Sequence, residues 1–469
     1  VLKKYEWSLV NIYNKGFLTS LILWIGIFLP KLILVAKKQL LTIFIIVLII
    51  LTTELSLSQP EREIKDNWTL KDCINYALEN HPTIISANQN CISAQAQIKK
   101  TKSDYYPQVD LVSQNSYFNI PVTAINQGQL IRTQESYQIL LQLNQTFFRL
   151  GRKEEVEQSK QNLLVAQANL QKVKQDLVLE VIKSFYDVLR AEYLAKVSEE
   201  ALNLAKEHLQ MTQEMVSAGT AASVDILPLE VEVANNNLAL IKSVNQIKLA
   251  KSTLKRAIGL STLEDIKVAE PLVKPLEGEF ELNQLLTDAY NLRPELVEIE
   301  SRIRFDELAV RINKLKHIST FDISGNYNRE IYTSLTPRPE YWSVNARVVL
   351  PLFDGGYIKG AITSAEADLN NLKAQREQLK QDIGFEVEQA YLKLNEAKEL
   401  IKATEKNVEE AELSLKSAEE RYKEGVAIII EVIEAQTKLA TAKVNHIQSL
   451  YDYNIALANL KRAIGKEMY

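Results

Sequence analysis

Lys255-Arg256-Ala257-Ile258-Gly259 returns as Lys461-Arg462-Ala463-Ile464-Gly465, displaced by 206 positions. The same displacement relates Gly219 to Gly425, Asp225 to Glu431, Asp176 to Asp382, and Glu180-Val181 to Glu386-Val387. Nearer the start of each copy, Leu70, Ala77 and Pro82 match Leu282, Ala289 and Pro294 at 212. One structural unit is therefore written twice, over about 60–265 and 266–469. The change in displacement falls between these anchors, as expected where insertions collect in exposed loops.

Each copy has the same internal order. A short helix ends before a proline (Pro82, Pro294), which lacks the amide hydrogen and disfavours a helical predecessor. A second helix comes next, then two stretches with the period of two that marks strands. These are expected at about 107–119 and 137–148, and again at 319–329 and 341–353. One apolar and one polar face per strand suits a wall between lipid and water.

Beyond the strands, hairpins of two long helices are expected at about 150–259 and 356–465. Glu154 to Ser217 contains neither Pro nor Gly, 64 residues or roughly 95 Å of helix at 1.5 Å per residue. Gly219 and Gly425 then stand where a left-handed cap would end each long helix. In the second copy Val387, Ala390, Leu394, Ala397, Ile401, Thr404, Val408, Ala411 and Leu415 step by three and four. The steps at Ile383–Val387 form a stutter, which relaxes a left-handed supercoil. The return helix carries a matching seam from Val432 to Ala463, with large and small residues alternating. In the first copy the seam is looser, so one hairpin is expected to move while the other holds.

The fold class read from this is mainly α with a membrane β-barrel portion. Four strands cannot close a membrane barrel, but three chains supply twelve. Strands that need closure, joined to helices far longer than a globular core needs, describe a trimeric tube.

Composition excludes several functions. The chain has 55 basic and 59 acidic residues, a net of −4, and no basic stripe, so nucleic acid is not an expected partner. The four histidines, at 81, 208, 317 and 446, lack metal-ligand spacing. There is no phosphate-binding glycine loop followed by Lys-Ser or Lys-Thr. No cofactor, metal or catalytic pair is expected, and the chain is read as a non-enzyme. Cys73 and Cys91 are expected as thiols more often than as a disulfide.

Residues 1–59 read as a leader. Lys37-Lys38, the apolar run Leu40–Leu51 and the small polar residues after it have the layout of a secretory signal, with processing expected near Ser58 or Gln59. No Met precedes Met211, and a start at Val35 would make residues 1–34 an over-extended frame; a two-segment inner-membrane anchor is the rival reading.

Leu350-Pro351-Leu352-Phe353-Asp354-Gly355-Gly356, Arg421-Tyr422-Lys423-Glu424-Gly425, Arg293-Pro294-Glu295-Leu296 and the close at 457–465 are all carried on the duplicated frame. Over about 66–466 the chain resembles the outer-membrane efflux (TolC) family. The resemblance implies a homotrimer with a twelve-stranded barrel in the outer membrane, continued by a twelve-helix α-barrel tunnel through the periplasm, and docking with a periplasmic adaptor and an inner-membrane transporter. An efflux or type I secretion duct is thus expected, the alternative being an adaptor with a single coiled-coil hairpin.

Ionisable residues gather after each tip glycine. Asp225 and Glu431 lie six residues beyond Gly219 and Gly425, with Glu434 one helical turn after Glu431. In a trimer they would form acidic rings at the closed end, favouring cations. Helix capping is the competing reading for Asp225. The resemblance gives these positions gate-forming roles and pairs Tyr422 with Asp225. It also places an Arg two residues past the tip glycine, where this chain has Ala427.

Overall fold

The computed structural model describes residues 67–118, 134–261, 266–268, 280–332 and 340–466. The leader read over 1–59 lies outside the described residues, as do most of the strand-to-strand turns. Among the described residues no helix is long and apolar enough to cross a membrane.

The first copy runs α1 (Leu70–Asn80), α2 (Pro82–Ser103), β1 (Gln108–Phe118), β2 (Gln134–Phe148), α3 (Arg152–Ser217) and α4 (Ile226–Ile258). The second runs α5 (Leu282–Leu292), α6 (Pro294–Leu315), β3 (Thr320–Tyr332), β4 (Glu340–Val349), α7 (Tyr357–Lys423) and α8 (Ile429–Ala463). Local chemistry accounts for the boundaries. A reciprocal Thr69–Asp72 capping box opens α1. Pro82 and Pro294 open α2 and α6, where a missing amide hydrogen costs nothing.

The four strands form one antiparallel sheet in the order β1-β2-β3-β4, so the copies join through β2 and β3. Register sorts the side chains of the central rows by face. The row Val109–Leu143–Gly325–Val344 and the row Leu111–Leu141–Tyr327–Trp342 share one face. The rows Gln108–Asn144–Ser324–Asn345 and Asp110–Gln142–Asn326–Ser343 share the other. In these rows one face is apolar and aromatic and the other carries amides, hydroxyls and a carboxylate; farther along, the first face also holds the Arg329–Glu340 ion pair, and the second holds Val112, Leu140 and Tyr341. Strands of 10 to 15 residues match the 9–11 or so that a tilted strand needs to cross a bilayer. Among the described residues, β1 and β4 leave open edges.

The expected end of the last strand at 353 is too late: β4 stops at Val349, because Pro351 cannot donate to a ladder. Past Pro351 the chain prepares a helix. Asp354 accepts hydrogen bonds from the Gly356 and Ile358 amides at 2.9 and 2.8 Å, which hold its carboxyl below the usual carboxylate range. Gly355 and Gly356, at φ +64° and +89°, make the turn that side chains resist. The Asp-Gly-Gly motif is therefore the joint between sheet and α7.

Below the sheet, α3 packs on α4, α7 on α8, and α3 on α8. The seams expected from periodicity are buried at Ile383, Val387, Ala390, Leu394, Ala397 and Ile401, and at Val432, Ala435, Ala442, Tyr453, Ala456 and Leu460. One core gathers Cys73, Ile74, Ile182, Phe185, Leu254 and Ile258; the second gathers Leu285, Ala289, Ile383, Val387 and Leu460. Tyr186 and Tyr451, with ring centroids 6.0 Å apart, bridge them. Cys73 and Cys91 are both thiols.

Candidate functional site

The tips of the two hairpins carry the residues singled out from the sequence. α3 and α7 end alike. Gly219 (φ +78°) and Gly425 (φ +75°) adopt the left-handed conformation. The Val426 amide reaches back to Arg421 O and the Gly425 amide to Tyr422 O, both at 2.9 Å. Thr220 and Gly219 do the same to Met215 and Val216. Each tip is thus a left-handed cap that satisfies the last carbonyls of a long helix.

The capping role weighed for Asp225 is not realised. It occupies the first position before α4, but its side chain makes no capping hydrogen bond. The carboxylate is left half-exposed at the tip surface.

The expected Tyr422–Asp225 pair is not formed either. Tyr422 is buried between α7 and α3, its hydroxyl 3.2 Å from Thr212 Oγ1, which is itself fully buried. Tyr422 therefore ties the second tip to the outgoing helix of the first hairpin rather than to its turn. The apolar surround is Leu229, Leu415, Ile429, Val432 and Ala435. Sequence periodicity marks Tyr422 as a seam residue, but nothing local distinguishes Thr212 as its partner.

Glu431 and Glu434 differ in setting. Arg421 Nη1 lies 3.0 Å from Glu431 Oε2, across the turn. Glu434 is exposed along the groove between α7 and α8, whose lining includes Glu410, Thr437 and Lys438. Arg421 was thus the missed residue. The turn at Gly425 folds the chain back and brings Arg421, four residues before the glycine, against Glu431, six residues after it.

A second missed group lies one turn deeper. His208 is buried on α3, with Nε2 3.4 Å from Glu419 Oε1 of α7 and Nδ1 without a hydrogen-bond partner. Burial pushes the imidazole below its ordinary pKa, opposed by Glu419 and Glu207 and assisted by Lys423. A depressed folded pKa favours the neutral ring. Its contribution is complete above about pH 6.5, the unfolded value, and is lost as pH falls through the folded value. The protection factors for hydrogen exchange at the α3 tip, observed rates taken relative to intrinsic ones, should therefore fall as pH drops from about 7 to about 5. The His208→Gln variant should lose that dependence; an unchanged profile in the variant would exclude His208 as the cause.

The described residues comprise a sheet with one largely apolar face and open edges, two long hairpins and acidic tips, in a duplicated chain. A family model described as "Outer membrane efflux protein" matches residues 73–260 and 285–466, one block in each copy. The chain belongs to the outer membrane efflux protein family.

Relatives agree. Nodulation protein T of Rhizobium leguminosarum bv. trifolii is 22% identical over 326 residues, 67% of this chain and 68% of that protein. Outer membrane protein TolC of Escherichia coli K12 is 22% identical over 437 residues, 87% and 83% of the two chains. The Campylobacter jejuni CmeC outer membrane channel superposes with a TM-score of 0.74 at 15% identity, covering 88% of this chain and 90% of that one. The fold is thus that of the family's channel-tunnels, and the protein is an outer-membrane efflux channel reaching into the periplasm. The single-hairpin adaptor reading is set aside, because both copies match the channel family.

Proposed function

We propose that three copies close into a twelve-stranded barrel and a twelve-helix tunnel. This is a passive exit duct for substrates that an inner-membrane transporter delivers through a periplasmic adaptor. The observation that carries this is the four-stranded sheet whose two edges are unpaired among the described residues and whose central rows put apolar and aromatic side chains on one face. An open edge in lipid leaves backbone donors and acceptors without water, at several kcal/mol each. Edge β4 of one copy pairing with edge β1 of the next removes that cost, and twelve strands close the ring. With the apolar rows facing lipid, the amide rows line the lumen.

Transport by this duct needs no chemistry on the substrate, and the residues named have binding and gating roles only. Asp225 and Glu434 form the uncompensated acidic groups of the periplasmic gate. Glu431 is a member whose charge Arg421 offsets, and Tyr422 holds the second hairpin against the first. Gly219 and Gly425 set the turns that aim these groups.

Detergent-extracted protein reconstituted into planar bilayers should give discrete cation-favouring conductances. A soluble monomer that adds no conductance would overturn the reading.

A further inference from the structure

The two long helices begin differently, and the first begins beside a cavity. Phe148 and Gly151 align with Phe353 and Gly356 at a displacement of 205. Arg149 therefore stands where the second copy has Asp354, and Arg152 where it has Tyr357. Asp354 binds the first amides of α7 with its own carboxylate. At α3 the N-cap is Gly151, which makes no side-chain capping bond, and two arginines flank it. Cations are disfavoured at the positive end of a helix dipole. Glu154 and Glu155 in the first turn offset part of that, but both are engaged: Glu154 by Arg311 at 3.1 Å, Glu155 by Arg149 at 2.7 Å.

The cavity measures about 710 Å³ and lies on the polar face of the sheet, at its helix end. The rows Gln108–Asn144–Ser324–Asn345 and Thr146–Asp322–Arg347 form one wall, and Arg149 and Arg152 belong to the lining. Arg152 is only 8% exposed. Its Nη2 donates to Thr146 O at 2.7 Å and its guanidinium carbon stands 5.5 Å from the centre of the Tyr105 ring. Its buried Nε has no hydrogen-bond partner, and no carboxylate pairs with it among the described residues. A buried charge without a counter-charge is destabilising. Arg347 is exposed and likewise unpaired among the described residues. Arg149 is already held, by Glu155 at 2.7 Å and Asp104 at 3.8 Å. Asp322 is then the single remaining carboxylate of the lining, against Arg152 and Arg347.

We infer that this cavity binds the oxyanion of a small solute, a phosphate or carboxylate group, with Arg152 and Arg347 supplying the charge and Gln108, Asn144 and Asn345 the neutral donors. The planar guanidinium fork suits either group, and amides donate without adding charge. The cavity opens on the polar face, away from the apolar rows, so a dissolved molecule rather than a lipid headgroup is its occupant. Its place in the duct rests on the trimeric reading, in which the polar face lines the lumen and three such sites ring the joint of barrel and tunnel. Binding itself needs one chain.

Equilibrium dialysis of the detergent-extracted full chain tests this, with labelled inorganic phosphate and labelled succinate as separate probes. At least one should bind at one site per chain, and the one that binds identifies the group. Arg347→Gln should weaken binding about tenfold, the worth of one charge-assisted hydrogen bond. Asp322→Asn should tighten it, by removing the remaining like charge, a direction that misfolding does not produce. Arg152→Gln should abolish it; because Arg152 is buried, the first two variants decide the matter if this one fails to fold. Arg329→Gln, on the same sheet but outside the cavity, should match the parent. Failure of both probes, or unchanged affinity in Arg347→Gln and Asp322→Asn, overturns the site. A native gel of the same sample separates the two readings. A monomer that binds keeps the site and overturns the trimer, whereas a trimer that binds neither probe does the reverse.

Discussion

Arg293→Ala is expected to cost about 3–5 kcal/mol, the range for removing one member of a buried ion pair. The Arg293 side chain is only 4% exposed. Its guanidinium spans Glu295 Oε2 at 3.0 Å and Glu386 Oε2 at 2.8 Å, and donates to Ala463 O at 3.1 Å. Glu386 and Glu295 also receive Arg462, at 2.6 and 3.3 Å, and Arg462 reaches Asp176. Alanine would leave Glu295 in a nearly dry site with one guanidinium in place of two, and would orphan the Ala463 carbonyl. The loss should appear as a lower denaturant midpoint at constant slope. Arg293→Lys should recover only part of it, since an ammonium lacks the planar fork that reaches two carboxylates and a carbonyl together. A loss under about 1 kcal/mol for Arg293→Ala would place the network among solvated ion pairs. Arg293 matters because it clamps the α5–α6 joint to the C-terminal end of α8. Gly465 shows how tight that joint is: a Cβ there would stand 2.9 Å from the Leu292 carbonyl carbon and oxygen.

Glu431→Gln with Glu434→Gln should weaken block by a trivalent cation by about tenfold, or ~1.4 kcal/mol, and lower the preference for cations. Three chains place six of these carboxylates around the tunnel end, and removing them removes most of the local field. The ion pair with Arg421 refines that expectation. Because Arg421 offsets Glu431, the single Glu434→Gln change should account for most of the effect. Arg421→Ala should act oppositely, tightening the block by unmasking Glu431, and adding Glu431→Gln should return it toward the parent. Planar-bilayer recordings with a lanthanide on the periplasmic side read all four variants. Equal block in parent and double variant would remove these residues from the gate.

Much of the architecture is legible in the chain because it is periodic or local. The three-and-four stepping from Val387 to Leu415 reports a buried stripe without reference to any partner, and most of those positions are buried or half-buried in α7. Gly219 and Gly425 report their turns because few other residues adopt that backbone angle. The alternation in Tyr341–Leu350 reports a two-faced strand, although Pro351 cuts it shorter than the apolar pattern suggests. The candidate site was less legible. Its acids were visible from their place after the glycines, but Asp225 carries no cap and Tyr422 meets Thr212, not Asp225.

The sequence by itself determined the duplication, the seams, the turns, the strand faces and the family, since each is written in residue type at short or fixed spacing. Only the tertiary structure decided which charges meet. Arg256 and Arg462 sit in identical pentapeptides, yet one lies open and the other threads Asp176, Glu295 and Glu386. Partner choice depends on which helix flanks which, a relation between segments up to 286 residues apart in the case of Asp176 and Arg462. The second copy finds its neighbour inside the chain.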